Sequence, residues 1–182
     1  MRRYLLKDPI TRSFIDYLFI EKGLSQNSVK SYQSDLLHFM EWSIQVLKIP
    51  AKLTTSQDIN KYIKYLFDQD FKSSSVNRKI SSIKAYFIFL KKKKYINVIP
   101  TEDMPIPKQN INLPNSMSEK DVETLLSCIN TKKDIEIRDK AMVELLYATG
   151  VRVSELINIK FSNIDMNRNV VRVLGKGSKE RL

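Results

Sequence analysis

The segment SVNRKISSIKAYFIFL, residues 75–90, carries polar and basic side chains of the types that contact nucleic acids. At helical spacing, the side opposite its apolar stripe holds or borders Asn77, Arg78, Ser81 and Lys84. Lysine ammonium groups suit phosphates, whereas arginine and asparagine can hydrogen-bond base edges in the major groove. The pattern therefore predicts a DNA-binding helix face. A solvated helix face without a ligand is the alternative.

A second group of polar and basic residues opens an earlier helical pattern, in the stretch SQNSVKSY. Ser25 stands at the predicted N-cap, and the first turns hold Asn27, Ser28 and Lys30. Backbone N–H groups at a helix N-terminus attract phosphate. We therefore expect these three residues to contact DNA as well.

The charge of the chain is concentrated in its first half. The whole chain has 31 Lys and Arg against 20 Asp and Glu, a formal net charge of +11. Residues 1–100 hold 18 basic and 8 acidic side chains, whereas residues 101–182 hold 13 and 12. This asymmetry favours a polyanionic partner such as DNA for the first half, with an ordinary lysine-rich surface as the alternative.

The single histidine and the single cysteine do not indicate a separate catalytic or metal site. His38 lies mid-helix beside Leu37, Phe39 and Trp42, with no cysteine or paired carboxylate at metal-ligand spacing. We predict a packing or surface role for His38, and we expect Cys128 to pack as a small apolar residue. Neither a metal ion nor another cofactor is expected.

Cysteine usage and hydropathy predict a cytoplasmic protein. One cysteine cannot form an internal disulfide, which is typical of reducing compartments. No apolar run reaches the roughly 18–20 residues that span a bilayer. Lys7, Asp8 and Pro9 interrupt the segment where a signal peptide would need its apolar core.

The pattern in residues 1–98 predicts four helices joined by short loops, which form a small helical bundle. The predicted start signals are Asp8 before Pro9, Ser25, Thr55 at capping-box spacing from Asp58, and the serine cluster 73–75. Residues 99–116 follow as a linker, because Pro100, Pro105, Pro107 and Pro114 exclude a helix there.

Residues 117–182 predict a second domain that mixes helices and strand. Ser118 is placed at a helix start, and IRDKAMVELLYATG is expected to form a buried helix that ends at Gly150, with Tyr147 in the core. A further helix starts near Arg152, and residues 169–174 predict a strand. The basic turn GKGSKER then suggests a β-hairpin at the end of the chain.

Several of these stretches resemble, in order, the Xer-type tyrosine recombinases, the bacterial branch of the phage integrase family. They are FIDYLFIEKGLSQNSVKSYQSDLLHFMEW, SVNRKISSIKAYFIFL, LPNSMSEKDVETLL and IRDKAMVELLYATGVRVSEL, followed by VVRVLGKGSKER. The resemblance implies a mainly α fold, with a four-helix, SAM-like core-binding bundle and an α+β catalytic domain. The two domains would form a C-shaped clamp around duplex DNA.

The resemblance also implies roles for two residues of the second domain, and helical spacing adds a third. The arginine of the TGVRVSEL box corresponds to Arg152, and the hairpin lysine corresponds to Lys176; both are catalytic in the family. Guanidinium chemistry suits the charge that develops on non-bridging phosphate oxygens. A positioned lysine suits protonation of the departing 5′ oxygen. Glu155, three residues after Arg152, is expected to orient it.

The implied activity is site-specific recombination through a 3′-phosphotyrosine intermediate, without metal or ATP, as in Xer-like resolution of chromosome dimers. The partners would be a double-stranded DNA recombination site and further recombinase subunits, in a homo- or hetero-tetramer on the DNA. The family's later His-x-x-Arg box and tyrosine nucleophile have no match here, and none of the eight tyrosines lies in a matching context. We therefore expect a catalytic domain truncated after the hairpin.

Two alternatives stay open from the sequence. A non-catalytic DNA-binding protein would keep the basic bundle without cleaving DNA. A phage or transposon integrase would share the same catalytic boxes.

Overall fold

The computed structural model describes residues 8–102, 104, 116–175 and 180–182. The chain separates into two units, Met1–Asn112 and Leu113–Leu182. Most of the predicted proline-rich linker, including Pro105, Pro107 and Pro114, lies outside the described residues. The predicted fold class, mainly α with a helical bundle followed by an α+β part that ends in a β-hairpin, is confirmed: the chain is mostly helical, with short antiparallel strand pairs near its end.

The first unit contains the predicted four helices. They are α1 (Pro9–Asp16), α2 (Gln26–Trp42), α3 (Ser56–Asp68) and α4 (Ser73–Lys92). A π-helical turn extends α1 over Tyr17–Glu21 and another extends α2 over Ser43–Leu47, while Ala51–Leu53 forms a 3₁₀ turn.

Local capping explains where three of these helices begin. The Asp8 carboxylate accepts the N–H of Thr11 at 2.8 Å, and the hydroxyl of Ser25 accepts the N–H of Ser28 at 3.3 Å. Thr55 and Asp58 form the predicted capping box, because each side chain accepts the backbone N–H of the other. Each cap satisfies N–H groups that the first turn leaves without a helical partner.

The core of the first unit is one cluster of aliphatic and aromatic side chains. Helix α4 contributes Ile80, Ile83, Phe87 and Leu90, the apolar stripe seen in the sequence. Helices α2 and α3 contribute Leu36, Phe39, Met40, Trp42, Ile59, Tyr62 and Leu66. His38 is half-buried at the edge of this core, with Nδ1 2.7 Å from the hydroxyl of Tyr62, in agreement with the predicted packing role.

Among its described residues, the second unit has three α-helices, a 3₁₀ turn over Phe161–Asn163 and four two-residue strands. The helices are α5 (Glu119–Cys128), α6 (Asp134–Thr149) and α7 (Val153–Leu156), and the strands are β1 (Ile164–Asp165), β2 (Val170–Val171), β3 (Val173–Leu174) and β4 (Glu180–Arg181). Strands β1 and β2 form one antiparallel pair, and β3 and β4 form the other. The predicted single strand over residues 169–174 is thus two strands. They separate at Arg172, whose N–H bonds to the carbonyl of Asn163.

Two burial predictions for the second unit are wrong. Helix α6 has no fully buried side chain among its described residues, and Tyr147 is 57% exposed. Cys128 is exposed rather than packed. The physical reason is that the buried apolar cluster found among the described residues of this unit is small, with Val151, Leu156 and Val173 as its members, so short neighbouring elements cover little of α6.

None of the helices in the described part of the chain is long and apolar enough to cross a membrane.

Candidate functional sites

The turn between α6 and α7 determines where Arg152 stands. Gly150 ends α6 with a φ of 60° and donates its N–H to the carbonyl of Leu146 at 2.9 Å. Glycine adopts this left-handed conformation without the steric penalty that a Cβ brings. Val151 then enters the small core, and Arg152 becomes the N-cap residue of α7.

Glu155 is the buried anchor of this site. One of its oxygens, Oε2, accepts the backbone N–H of Arg152 at 2.8 Å. The other oxygen, Oε1, accepts Nη1 of the Arg152 side chain at 2.9 Å. The Glu155 side chain is 4% exposed and that of Arg152 is 67% exposed. The carboxylate therefore fixes one end of the guanidinium while the rest faces solvent.

A third donor reaches the same carboxylate from the end of the chain. Nη2 of Arg181, on β4, lies 2.5 Å from Oε2 of Glu155. The backbone N–H of Arg152 is the main cause that lowers the pKa of Glu155 to about 2, and the two guanidinium groups lower it further. Glu155 is therefore ionised at neutral pH and holds two arginines.

Arg181 was not among the residues singled out from the sequence. The sequence signal that could have found it is its place at the end of the basic stretch GKGSKER, which the sequence predicts to be a hairpin turn. In the structure, β3 pairs with β4 in the register Val173↔Arg181 and Leu174↔Glu180. Glu180 also pairs with Arg172, at 3.0 Å between Oε1 and Nε. These contacts hold the strands of the hairpin together, and the contact of Arg181 with Glu155 joins the described part of the hairpin to α7.

Lys176 lies outside the described residues, as do the other members of the segment 176–179 that connects β3 to β4. The structure thus brings together Arg152 and Glu155, adds Arg181, and does not test the placement of Lys176.

In the first unit, the residues at the start of α2 are available for contact. Asn27 and Lys30 are exposed and Ser28 is half-buried. Ser28 also takes part in the cap, with its hydroxyl 3.0 Å from that of Ser25. A helix start with an exposed lysine and amide can bind an anion such as a DNA phosphate.

The predicted DNA-binding residues on α4 differ in solvent exposure and in the contacts that their side chains make within the protein. Ser81 is exposed, whereas Asn77 and Lys84 are half-buried. Nζ of Lys84 donates to the backbone carbonyl of Met104 at 2.9 Å, so its ammonium group already has a protein partner. Nη1 of Arg78 donates to Oδ2 of Asp35 on α2.

Asp35 and Lys79 are further residues that the sequence reasoning missed. Both side chains are buried, and Nζ of Lys79 lies 3.5 Å from Oδ1 of Asp35. The signal that could have found Asp35 is an acidic residue directly before the apolar pair Leu36 and Leu37, four residues after Ser31 on α2. Within the described residues, no group of histidine, cysteine and carboxylate side chains could hold a metal ion.

Two family models match the chain. The phage integrase N-terminal SAM-like domain matches residues 12–94, and the phage integrase family matches residues 115–182. The first match contains the α2 and α4 surface, and the second contains Arg152, Glu155 and the hairpin. The resemblance found in the sequence motifs is confirmed.

Curated relatives support the same assignment. The tyrosine recombinase XerD of Haemophilus ducreyi is 44% identical over 176 residues, which cover 96% of this chain and 58% of the relative. The XerD of Shewanella oneidensis is 38% identical over 175 residues, with coverages of 96% and 58%. The chain thus spans a little over half the length of the curated relatives it matches.

Solved structures share the fold. The Tn1549 transposon integrase, in complex with circular intermediate DNA, superposes with a TM-score of 0.67 at 16% identity, covering 94% of this chain and 57% of that one. The XerH site-specific recombinase, bound to its difH substrate before cleavage, gives 0.68 at 14% identity, with coverages of 94% and 52%.

Proposed function

Because this chain belongs to the phage integrase family, we propose that it acts in site-specific DNA recombination as a tyrosine recombinase. Its substrate is a double-stranded recombination site, and its reaction is strand cleavage and rejoining through a 3′-phosphotyrosine. The observation that carries this proposal is the guanidinium of Arg152, held by the buried carboxylate of Glu155 and otherwise exposed to solvent.

The first unit supplies the DNA-binding surface in this proposal. Residues 1–100, which make up most of this unit, carry +10 of the net charge of +11, and α2 and α4 present polar and basic side chains at their starts. The residues assigned to DNA contact are Asn27, Ser28, Lys30, Asn77, Arg78, Ser81 and Lys84. Phosphate contacts of this kind set the position of a protein on the duplex and make its affinity depend on salt.

The second unit supplies the phosphate chemistry. When a tyrosine oxygen bonds to the scissile phosphorus, negative charge develops on the non-bridging oxygens, and the planar guanidinium of Arg152 stabilises it. Glu155 acts as a positioning residue for that guanidinium. As the bond from phosphorus to the 5′ oxygen breaks, Lys176 donates the proton that this oxygen needs in order to leave. None of the eight tyrosines of the chain is assigned as the nucleophile.

The biological setting follows from the Xer branch of the family. We assign the protein to the cytoplasm and to the resolution of chromosome dimers. It would work there in a tetramer of recombinase subunits on two DNA duplexes, without a metal ion or ATP.

A chimera tests the proposal directly. Residues 1–182 are followed by the part of the Haemophilus ducreyi relative that lies beyond the matched region. The chimera is then incubated with a nicked duplex that carries the relative's recombination site. We expect a covalent protein–DNA adduct on a denaturing gel, and Arg152→Ala should slow its formation by about 10²-fold or more.

Arg168→Ala is the matched control, because Arg168 is an exposed arginine of the same unit whose Nε lies 3.8 Å from a partly exposed carboxylate, that of Asp165. It should form the adduct at the rate of the parent chimera. Adduct formation by Arg152→Ala at the parent rate would refute the catalytic assignment.

A further inference from the structure

Asp35 is a buried carboxylate at the contact between α2 and α4, the two helices that carry the proposed DNA-binding residues. Its side chain is 1% exposed. Besides the Nη1 group of Arg78, it accepts the hydroxyl of Ser82 at 3.0 Å. A carboxylate removed from water to this extent needs both hydrogen bonds and a compensating positive charge.

Two cations share this one carboxylate, and they differ in burial. The Lys79 side chain is 7% exposed, and its Nζ also lies 5.3 Å from the centre of the Phe71 ring. The Arg78 side chain is 49% exposed. Lys79 therefore offsets the buried negative charge, and the three ionised groups together keep one positive charge. That charge faces solvent at Arg78.

The contact also limits how the Arg78 guanidinium can move. A guanidinium has five N–H donors in one plane, and the bond from Nη1 to Asp35 restricts the directions that this plane can take. The remaining N–H groups can bind an oxygen anion without first losing much conformational freedom. Because one edge is partly occupied, the arrangement suits a backbone phosphate better than a two-pronged contact with a base.

We infer that Asp35 is a positioning residue for DNA binding, which holds Arg78 so that its outward N–H groups bind a phosphate of the duplex. Lys79 is the buried counter-charge that leaves the charge of Arg78 available. The inference rests on the DNA binding in the proposed function and changes the part that Arg78 plays in it. Arg78 contacts the DNA backbone and not a base edge.

The direction in which one substitution changes the affinity for DNA distinguishes the positioning of Arg78 from a simple effect of net charge. Asp35→Asn raises the net charge of the protein by one, so a purely electrostatic role predicts tighter binding to DNA. Positioning predicts the opposite, a loss of about tenfold in affinity, as expected for one charge-assisted hydrogen bond. The measurement is the fluorescence anisotropy of a labelled random-sequence duplex of about 30 base pairs, long enough for several phosphate contacts, with the full 182-residue chain at low salt.

A double-mutant cycle shows whether Asp35 acts through Arg78. If it does, Arg78→Ala and the double variant Asp35→Asn/Arg78→Ala should bind equally weakly. Ser82→Ala is the matched control, because it removes another partner of Asp35 and leaves the Arg78 guanidinium and its acceptor in place. The Ser82 hydroxyl touches Arg78 only at its backbone carbonyl, at 3.1 Å. This variant should bind like the parent. Tighter or unchanged binding by Asp35→Asn, or additive losses in the cycle, would overturn the inference.

Arg78→Lys keeps the test decisive if Asp35→Asn fails to fold, as judged by circular dichroism. It retains the charge but loses the planar group, so positioning predicts nearly the loss seen for Arg78→Ala, and parent-like binding would refute it. A parent protein that does not bind the duplex at low salt would instead refute the proposed DNA binding itself.

Discussion

Oε2 of Glu155 lies 2.5 Å from Nη2 of Arg181, which comes 26 residues later in the chain. This contact joins the start of α7 to the last strand of the hairpin. Since Glu155 also binds the backbone and the side chain of Arg152, one buried carboxylate determines the position of two arginines. Loss of that carboxylate should therefore release both arginines from their positions at the site.

The charge state of Glu155 gives a prediction about pH. Its pKa is lowered from 4.5 to about 2 in the folded protein. Its contribution to stability should therefore be complete above pH 4.5 and should be lost as the pH falls towards 2. An NMR titration of the Glu155 carboxyl carbon should give a midpoint near the lower value, and Arg181→Ala should raise that midpoint. A midpoint at the ordinary glutamate value would show that the three contacts do not persist in solution.

Gly150 should be intolerant of a side chain. A Cβ at this position meets no atom within 4 Å, but the φ of 60° is one that other residues rarely adopt. Gly150→Ala should lower the free energy of unfolding by about 1–2 kcal/mol, as measured by urea denaturation.

Gly23→Ala is the matched control for this substitution, because Gly23 has the same φ and equally open surroundings in the first unit. Both variants should lose stability, but only Gly150→Ala should slow adduct formation in the chimera, since only Gly150 precedes Arg152. Equal effects of the two variants on adduct formation would argue against the turn as the element that places Arg152.

DNA binding by the first unit should depend steeply on salt. If about six phosphates are neutralised, log K should fall with log salt at a slope of about −5. Lys30→Ala should weaken DNA binding and reduce the size of this slope by about one, because the contact between this exposed lysine and a DNA phosphate is lost. Lys93→Ala is the control, because it removes the same charge. The Nζ of Lys93 lies 3.6 Å from the carboxylate of Glu21, so this lysine is already paired, and its loss should leave the salt slope unchanged. Salt-independent affinity would contradict the proposed interface.

A sulfur-substituted substrate separates the roles of Arg152 and Lys176. Sulfur in place of the bridging 5′ oxygen leaves as a thiolate and needs no proton. In the chimera, Lys176→Ala should lose about 10²-fold on ordinary DNA, the usual scale of acid catalysis, and recover most of it on the sulfur substrate. Arg152→Ala should be impaired on both substrates, because both develop charge on the non-bridging oxygens. Rescue of both variants, or of neither, in a single-turnover cleavage assay would contradict these roles.

Local signals explain which parts of the fold the sequence could predict. Asp8, Thr55, Ser118 and Gly150 act on backbone groups within five residues of themselves, so their effect is visible in a short window. The apolar stripe of α4 is equally local, because helical spacing alone puts its members on one side. The contact of Arg152 with Glu155 spans three residues and was predictable for the same reason.

Burial in the second unit was not predictable in this way. The apolar residues of α6 predicted a buried helix, but burial depends on which other elements cover a helix. In this unit those elements are short, and Tyr147 remains exposed. Periodicity shows which side of a helix is apolar and does not show what lies against it.

The sequence by itself determined the helix starts and ends, the basic character of the first half, and the boxes that identify the family. Only the tertiary structure decided that Arg78 is held by Asp35, 43 residues away, and that Arg181 joins Arg152 on Glu155. Each of these contacts needs two elements to pack in one orientation. That orientation results from the whole core and not from a local pattern, so the partners of both arginines could not be read from the residues around them.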